Sequence, residues 1–561
     1  MVTQHSYRMH GAVYTKPIIV ELILDLTGYT SDKDLENFKL LDPAFGDGVF
    51  LEAAVHRLMD SLIKRGYRPN ELIDHLGNCI RGIELRLEAY QAGRHRLQKV
   101  LEGYGFSKTE INWLINQWII QADFLLWQED TTEAIKFDFV VGNPPYVRQE
   151  LIQDELIKKY RKRYTTIYDR ADLYVPFIQH SLELLSEQGT LGIICSDRFT
   201  KNRYGKKLRK FITDNYQVRY IVDLHKTSPF ENEVTAYPAI YVIKTKNYDK
   251  SVVRAVYTEV ITSKVCQDAK DFLLSNQEPD QSSKEMKTYV FSEWFAGDEP
   301  WIIQSQECRE ILKRLENRFP LIEDDVHGCK IRIGVATGAD KVYIVDPQQV
   351  DIEPEVLLPL VTTADISSGR IIWSGKHVIN PFNSDGELIN LDDFPRLKIY
   401  FQQHEKTIKN RNVAKKNPSQ WFRTIDRIYP EIVHQPKLLI PDMKNTNHIV
   451  KDEGAFYPHH NLYYILPGNW NIDILRAILL SSVVKFFIWS YATKMRGDTL
   501  RYQAQYLRKI RLPDPKSLTS DQKERLMDER VIQSQEYLDS IVAEIYQLSS
   551  TEIEIIKDAL G

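Results

Sequence analysis

The sequence predicts a doubly wound α/β fold, with a seven-stranded, mostly parallel sheet in residues 1–247 of the 561-residue chain. Two observations support this prediction. Apolar, β-branched runs alternate with helical segments, which is the pattern of a parallel sheet buried on both faces. The first run also leads through a Gly-rich turn into an amphipathic helix, whose apolar residues share one face. These are Leu51, Ala54, Val55 and Leu58.

The seven predicted strands are short apolar runs, and helical segments such as DLYVPFIQHSLELLSEQ lie between several of them. In chain order they are KLLD, NCIRGIE, WIIQAD, FDFVVGN, TLGIIC, VRYIVDL and AIYVIKT.

The rest of the chain is predicted to contain three further parts. Residues 248–325 are short polar segments and are interpreted as a connecting region. Residues 326–515 are rich in aromatics and turns, and predict a mixed α/β domain with short strands such as KVYIV, GRIIW, KLLIP and LYYIL. Residues 516–561 have helical periodicity, which favours helices packed on the body over a partner-binding coil.

Composition excludes several classes of protein. Hydrophobic residues make up 43% and charged residues 27%, which excludes wholesale disorder. No apolar run approaches the roughly 18–20 residues of a membrane helix, and the N-terminal sequence lacks a signal-peptide core. The five cysteines are far apart and form no C-x-x-C pair, so neither a disulfide scaffold nor a metal site is expected. We therefore expect a cytoplasmic protein that does not contact membranes.

Charge is distributed unevenly along a chain whose net charge is only −4. Residues 401–510 contain 17 Lys and Arg against 8 Asp and Glu, a net charge of +9, and residues 198–210 contain seven basic residues and no acidic one. Because phosphate neutralisation needs clustered positive charge rather than a high total, this distribution favours a polyanionic partner.

The strongest chemical signal is Asn143-Pro144-Pro145-Tyr146, directly after the fourth predicted strand. Two prolines stiffen the loop and remove two backbone donors, leaving carbonyl acceptors beside the Asn143 side-chain oxygen. Such oxygens can hold both hydrogens of a planar amino group while Tyr146 stacks on the ring that bears it. The nitrogen lone pair is then free to face an electrophile.

A second signal is the turn LLDPAFGDGVF after the first strand. Gly46 and Gly48 allow close backbone approach, as in a dinucleotide-binding turn, but the third glycine is missing. Asp42 and Asp47 place negative charge where a pyrophosphate would bind, so the turn favours a cationic ligand. S-adenosylmethionine, with its amino and sulfonium groups, fits better than NAD.

Two further acidic residues end successive predicted strands. Glu84 follows the second strand, where a carboxylate can accept both ribose hydroxyls, and Asp123 follows the third, next to the aromatic Phe124. Because the carboxyl ends of parallel strands share one edge of a sheet, the sequence predicts a nucleoside site there.

These motifs, with Tyr14-Thr15-Lys16-Pro17 before them, resemble the γ-class adenine-N6 DNA methyltransferases of type II restriction-modification systems, in the TaqI- and Eco57I-like group with a C-terminal specificity domain. The resemblance implies a Rossmann-like S-adenosylmethionine methyltransferase domain and a DNA target-recognition domain. It assigns cofactor binding to nine residues: Thr15, Asp42, Ala44, Gly46, Gly48, Glu84, Asp123, Phe124 and Phe177. Asn143 and the Pro144 carbonyl would hold the target N6, with Tyr146 stacked on one face of the base and Phe230 on the other.

The expected reaction is methyl transfer to N6 of an adenine that is flipped out of duplex DNA. The nitrogen attacks the sulfonium methyl directly, so neither a cysteine nucleophile nor a metal is required. The DNA-binding candidates in the basic region are Arg496, Arg501, Gln503 and Arg508. The expected partners are double-stranded DNA and a separate cognate restriction endonuclease, and the expected state is a monomer.

Several alternatives stay open from the residues alone. Methyltransferases acting on RNA or on protein glutamine also carry N-P-P-Y, although they generally lack a large C-terminal recognition domain. Cytosine-N4 methylation usually goes with Ser in place of Asn143. A bifunctional restriction-modification protein would need a nuclease metal site, for which the sequence offers no convincing array.

Overall fold

The computed structural model describes residues 13–128, 134–232, 237–246, 252–279, 283, 285–444, 448–492 and 500–560. The chain forms two compact units, Met1–Gln306 and Glu307–Gly561.

The described residues of the first unit form nine strands. They are β1 (Leu40–Asp42), β2 (Ile80–Glu84), β3 (Ile119–Gln121), β4 (Phe137–Gly142), β5 (Leu185–Ser196), β6 (Tyr216–Asp223), β7 (Pro238–Thr245), β8 (Val253–Thr258) and β9 (Met286–Phe291). Its helices are α1 (Pro17–Thr27), α2 (Val49–Lys64), α3 (Ile73–Leu76), α4 (Leu87–Gly103), α5 (Lys108–Trp118), α6 (Asp154–Arg163), α7 (Tyr174–Glu183), α8 (Lys206–Asn215) and α9 (Ser263–Leu274).

All nine strands form one sheet in the order β3-β2-β1-β4-β5-β7-β6-β8-β9. Strands β1 to β5 pair in parallel, and β7 runs antiparallel between β5 and β6. The seven predicted strands and the mostly parallel arrangement are therefore confirmed. Apolar clusters cover both faces of the sheet, as a doubly wound fold requires.

The sheet is larger than the predicted seven strands. Strand β8 pairs in parallel with β6, and β9 pairs antiparallel with β8. Both lie in residues 248–325, where the sequence predicts a connecting region, so the first part of that region belongs to the sheet. Polar residues such as Arg254, whose guanidinium bonds the carbonyls of Phe272 and Gln277, hide the strand pattern of this segment.

Local sequence explains the turn from β1 into α2. Gly48 precedes the helix with φ of +89°, and a Cβ there would lie 3.1 Å from the Cα of Gly93. The four predicted apolar residues of α2 are fully buried. Gly48 therefore lets α2 start directly behind the end of β1, against α4.

In the part of the second unit that the structure describes there are three smaller sheets, of four, four and two strands. Its strands are β10 (Lys330–Ile333), β11 (Ile344–Val345), β12 (Leu357–Val361), β13 (His377–Ile379), β14 (Lys437–Pro441), β15 (Met443–Lys444), β16 (Val450–Asp452), β17 (Tyr457–Pro458), β18 (Leu462–Leu466) and β19 (Leu500–Arg501). Its helices are α10 (Gln306–Arg318), α11 (Asp340–Tyr343), α12 (Pro395–Gln403), α13 (Glu405–Lys409), α14 (Asn412–Lys416), α15 (Ile472–Leu480), α16 (Ser482–Tyr491), α17 (Ala504–Leu507), α18 (Ser520–Met527), α19 (Glu529–Gln533), α20 (Gln535–Tyr546) and α21 (Ser550–Leu560).

Two of the four strands predicted in the second domain are present, as β14 and β18. Of the other two, KVYIV is confirmed only over Ile344–Val345, which form β11, and GRIIW is wrong. KVYIV is mostly the short helix α11, and GRIIW is irregular because Ile372 and Ser374 donate their backbone N–H groups to Asp365 instead of to a strand. The predicted mixed α/β character and the helical end of the chain are confirmed.

The terminal helices pack on α15 and α16, as the sequence predicts. The buried Asp539 of α20 accepts hydrogen bonds from the backbone N–H and the hydroxyl of Ser482, both at 2.7 Å. The five cysteines are all free thiols. Among the described residues, no helix is both long and apolar enough to cross a membrane.

Candidate active site

The carboxyl ends of β1, β2 and β3 lie side by side and carry the predicted acidic residues. Asp42 pairs in register with Gly82, and Glu84 pairs with Gln121, two residues before Asp123. We call Asp42, Glu84 and Asp123 the cofactor edge. The sheet topology thus brings together the three acids that the sequence places at separate strand ends.

Asp42 is fully buried at the first of these ends. One carboxylate oxygen, Oδ1, accepts from the backbone N–H of Ala44 at 3.2 Å, and the other has no hydrogen-bond partner among the described residues. Burial raises the pKa of Asp42 well above its ordinary value, and the nearby Glu84 and Asp47 carboxylates raise it further. A buried acid with a spare oxygen and negative neighbours is suited to a cation.

Glu84 holds the Gly-rich turn in place. Its Oε2 accepts from the Gly46 N–H at 3.0 Å, and its Oε1 accepts from the backbone N–H of Arg86 at 2.8 Å. Gly46 has φ of +58°, a left-handed conformation that favours glycine. Asp47 on the same turn forms a 2.6 Å ion pair with Arg96, so its charge is already compensated. Of the two aspartates on the turn, Asp42 is the one that keeps an uncompensated charge when it ionises.

Asp123 and the aromatic residues beside it form the third part of the edge. Its Oδ1 accepts from the Leu125 N–H at 3.0 Å, and its Oδ2 accepts from the Tyr160 hydroxyl at 2.6 Å. The Phe124 ring lies 5.1 Å from that of Phe177, and both side chains are buried. The structure therefore places Asp123, Phe124 and Phe177 together, as the resemblance implies.

Strand β4 brings the N-P-P-Y motif next to Asp42. A Cβ on Gly142 would lie only 2.8 Å from Asp42 Oδ1, so a side chain at this position would push the two strand ends apart. We call Asn143, Pro144, Pro145 and Tyr146, which follow at once, the amine corner. The cofactor edge and the amine corner thus meet at Gly142.

Asn143 is oriented by a segment far away in sequence. Its amide nitrogen donates to the Val13 carbonyl at 3.1 Å and to Thr15 Oγ1 at 3.3 Å. Its amide oxygen is buried and has no hydrogen-bond partner among the described residues. Because both amide hydrogens face Val13 and Thr15, the Asn143 oxygen remains as an unsatisfied acceptor, as the binding of an amino group requires.

Thr15 also connects the amine corner to Phe230. The two residues form an antiparallel β-bridge, and Lys16 N–H donates to the Pro229 carbonyl at 3.0 Å. Thr15 is buried and contacts both Asn143 and the Phe230 segment, and its contact with the cofactor stays a prediction.

The two predicted base-stacking rings already contact each other. The centroids of Tyr146 and Phe230 are 6.0 Å apart, and their planes meet at 75° in an edge-to-face arrangement. A base sandwiched between two rings needs parallel planes about 7 Å apart, twice the van der Waals spacing. The slot between them is therefore closed in this structure, and one ring must turn before a base can enter.

The predicted DNA-reading residues lie in the second unit. Arg501 forms an ion pair with Asp442, Arg508 forms one with Glu323 at 2.7 Å, and the Gln503 side chain accepts from Gln505. Both arginines therefore have internal acidic partners, which the sequence did not reveal. Arg496 lies outside the described residues.

Three residues that contact the predicted site residues and support them were not predicted from the sequence. Tyr160 and Arg96 bond the carboxylates of Asp123 and Asp47, and the Tyr14 ring lies 3.8 Å from the Cβ position of Gly46. Tyr160 and Arg96 lie in ordinary helices with no motif around them. Tyr14 precedes Thr15 in the recognised segment, which is a usable signal.

Comparisons with known proteins agree with this geometry. Residues 69–230 match the family described as Eco57I restriction-modification methylase, and residues 358–512 match the TaqI-like C-terminal specificity domain. The chain is 97% identical, over the full length of both proteins, to the type II methyltransferase M.BstVI of Geobacillus stearothermophilus. It is 40% identical to M.PaeR7I of Pseudomonas aeruginosa, covering all of this chain and 95% of that protein.

This chain belongs to the type II methyltransferases. Its fold is similar to the solved structure of the type IIL restriction-modification enzyme MmeI in complex with DNA, with a TM-score of 0.64. The match covers 97% of this chain and 77% of the MmeI chain, at 12% sequence identity. At that identity the likeness concerns the fold, which is that of a Rossmann-like methyltransferase with an additional domain. The enzyme modifies DNA and uses S-adenosylmethionine as its methyl donor.

The residues of the methyltransferase fit this cofactor. The unpartnered, buried Asp42 oxygen suits its positive charge, and the acids at the ends of β2 and β3 suit its ribose and adenine. The cofactor edge is thus a polar, acidic site on a rigid sheet.

Proposed function

We propose that this enzyme methylates N6 of adenine in duplex DNA at a specific site, after flipping the base into the amine corner. The observation that carries this proposal is the buried, unpartnered Asn143 amide oxygen at the end of β4, directly beside Asp42. An acceptor without a donor is costly inside a protein, and an exocyclic amino group is the donor that would satisfy it.

The amine corner acts by accepting hydrogen bonds from the amino group, and its own residues undergo no net chemical change. After methyl transfer the nitrogen carries a positive charge, which it loses by releasing one of its two hydrogens as a proton to solvent. Asn143 Oδ1 and the Pro144 carbonyl would accept the two hydrogens of the amino group. This withdraws the nitrogen lone pair from the ring and directs it toward the cofactor edge. S-adenosylmethionine, when bound, supplies an electrophilic methyl group. Tyr146 and Phe230 offset the cost of flipping, since base stacking contributes about 1–3 kcal/mol per ring.

We assign the nine cofactor residues named from the resemblance to S-adenosylmethionine binding, with one refinement. Asp42 would bind the positive charge, Glu84 the ribose and Asp123 the adenine amino group, with Phe124 and Phe177 packed near the adenine ring. Thr15 would also orient Asn143, because its hydroxyl accepts a hydrogen bond from that side chain. Ala44, Gly46 and Gly48 would contribute through the backbone of the turn.

Duplex DNA is the substrate that the second unit favours. A net charge of +9 over residues 401–510 lies within the TaqI-like specificity domain and its borders, in a chain with an overall charge of −4. We propose that Arg501, Gln503 and Arg508, together with Arg496, contact DNA, with Arg501 and Arg508 first exchanging their acidic partners for phosphate or base. We also propose that the enzyme acts as a monomer in the cytoplasm, with a separate cognate endonuclease.

The test is product analysis. Purified enzyme would be incubated with methyl-tritiated S-adenosylmethionine and mixed-sequence duplex DNA, and the digested nucleosides separated. We expect label in N6-methyladenine. Label in N4-methylcytosine, or transfer to RNA or protein in place of DNA, would overturn the proposal.

Two further measurements test the proposed partners. Light scattering coupled to gel filtration should give the mass of one chain. The same DNA incubated with Mg²⁺ should stay uncut, since the nuclease is a separate protein. Site-specific cleavage by the purified chain would contradict that part of the proposal.

A further inference from the structure

The second unit contains a cluster of metal-ligating side chains that the methyl-transfer site does not use. Asp340, at the start of α11, lies beside His459 and His460, directly after β17. One donor atom from each residue lies within 4.8 Å of the other two donor atoms, and His459 Nε2 is 3.2 Å from Asp340 Oδ2. The sequence predicted no metal site because these donors are separated by 119 positions.

The polypeptide is shaped to bring these donors together. Val335 forms a parallel β-bridge with His459, and Val335 and His460 are also linked by a 3.0 Å hydrogen bond from His460 N–H to the Val335 carbonyl. A Cβ on Gly334 would lie 2.2 Å from the His459 carbonyl oxygen, so only glycine permits this approach. Thr337 donates its hydroxyl to Asp340 Oδ1 and orients the carboxylate. The arrangement is held by backbone contacts as well as by the side chains themselves.

The imidazole groups have unused coordination capacity. The Nδ1 atoms of His459 and His460 are buried and have no hydrogen-bond partner among the described residues. Only 7% of the His459 surface is exposed. The ring centroids of the two histidines are only 4.1 Å apart.

Space for an ion and its remaining ligands lies beside the cluster. A cavity of about 450 Å³ is lined by Asp340 and His460, by the neighbouring residues 336–339 and by Lys341, among others. Two imidazoles and one carboxylate leave at least one coordination position for water, which this cavity can supply. Ions that prefer oxygen ligands, such as Mg²⁺ and Ca²⁺, fit poorly because two of the three donors are nitrogen.

We propose that Asp340, His459 and His460 form a binding site for a divalent first-row transition cation, with Zn²⁺ the best match to the donor set. The ion fastens the loop before α11 to the turn between β17 and β18. Since these residues lie in or beside the specificity domain, the site has a structural role in the second unit and does not take part in methyl transfer.

The experiment is a Zn²⁺ titration of the full-length, untagged enzyme after EDTA treatment and removal of the chelator, followed by calorimetry. We expect one Zn²⁺ per chain and a higher melting temperature with the ion bound. His460→Ala and Asp340→Asn should each weaken binding by about tenfold or more, since each removes or neutralises one ligand. His434→Ala, an exposed histidine of the same unit, is the matched control and should bind as the parent does.

The wild-type titration decides the proposal even if a variant folds poorly. Absence of Zn²⁺ binding by the parent enzyme would overturn it, and so would equal binding by the parent and a folded His460→Ala or His460→Gln variant. Circular dichroism and melting curves identify variants that fail to fold. Because the readout is metal binding and not methylation, failure here leaves the proposed function intact.

Discussion

The cofactor edge and the amine corner adjoin at Gly142 but differ in how complete they are. At the cofactor edge, Glu84 and Asp123 are held by backbone N–H groups and by the Tyr160 hydroxyl. At the amine corner, the Asn143 oxygen lacks a donor and the two stacking rings close on each other. At the cofactor edge two of the three carboxylates are fully held and only Asp42 keeps an unpartnered oxygen among the described residues, whereas at the amine corner the unpartnered Asn143 oxygen lies beside a closed pair of rings.

This difference indicates where ligand binding requires movement. The acids of the cofactor edge sit on buried strands, so the cofactor can bind with little rearrangement and at low entropic cost. In the proposed reaction the base would separate Tyr146 from Phe230 and satisfy the Asn143 oxygen at the same time. We therefore expect substitutions at the two places to separate cleanly into effects on cofactor binding and effects on DNA methylation.

The largest expected effect is at Asn143. Replacing it with Ala removes the acceptor for the amino group, and methyl transfer should fall by about 10²–10³-fold or more, the cost of losing one preorganised electrostatic contact. Cofactor affinity, measured by calorimetry, should change less than about threefold. Asn37→Ala, an exposed residue of the same unit, is the control. Loss of cofactor binding with methylation retained would contradict the assigned role.

A substitution at Asp42 should instead act mainly on cofactor binding. Asp42→Asn removes the charge that pairs with the cofactor cation and should weaken cofactor binding about 10–100-fold, as for a charge-assisted hydrogen bond. Because burial raises the pKa of Asp42, bound cation must displace its proton, so wild-type affinity should increase with pH and the Asn variant should flatten this dependence. Calorimetry between pH 6 and 9 measures both effects.

Asp60→Asn, an exposed position on the later part of α2, controls for general effects of removing a carboxylate. A pH-independent affinity in the parent enzyme would show that Asp42 does not face the positive charge.

Phe230 tests whether the closed ring pair opens for a base. Phe230→Ala removes one stacking face and should lower kcat/KM for DNA by about 5–100-fold, from the 1–3 kcal/mol that one stack contributes. Cofactor affinity should stay within about twofold. Tyr146→Phe keeps the ring and should retain activity, which separates stacking from the hydroxyl. Equal methylation by Phe230→Ala and parent would exclude Phe230 from the base slot.

The smallest expected effect concerns Asp172. The next residue, Leu173, donates its backbone N–H to the carbonyl of Val147, the residue that follows the amine corner. Burial raises the pKa of Asp172 to about 6, above the roughly 3.9 of an unfolded Asp. A raised carboxyl pKa stabilises the fold below about pH 4, and this contribution is lost as pH rises through 6. Asp172→Asn stays neutral, so its melting temperature relative to the parent should rise by roughly 1–3 °C between pH 5 and pH 8.

The exposed Glu155→Gln should show no such change between the two pH values. A difference between parent and Asp172→Asn that is the same at both pH values would mean that Asp172 is already ionised at pH 5.

The cofactor edge could be predicted from the sequence because each of its acids lies next to the apolar strand that positions it. Each strand is one apolar run, each acid directly follows a run, and the parallel topology then places the acids at one edge. The pairing of Thr15 with Phe230 could not be predicted from the residues, since no periodicity links segments so far apart. The orientation of Asn143 depends on that pairing, through contacts spanning 128 positions.

The second unit shows the opposite case. Its strands are short and mostly antiparallel, so their partners depend on turns that the sequence does not specify. KVYIV has strand-like composition, but its first three residues lie in α11, which begins at Asp340, where the Thr337 hydroxyl donates to the Asp340 side chain. Likewise, the acidic partners of Arg501 and Arg508 are 59 and 185 positions away, so two apparent DNA-reading residues have internal ion pairs that no local pattern reveals.

Gly142 has a practical consequence for altering the enzyme. A library that seeks new acceptor bases would naturally randomise the motif together with its neighbours. A Cβ at position 142 would lie 2.8 Å from Asp42 Oδ1, so any substitution there would force the Asp42 carboxylate or the backbone beside it to move. Substitutions at Tyr146 and in the loop around Phe230 are the better choice for changing the acceptor base, and Gly142 should be kept unchanged.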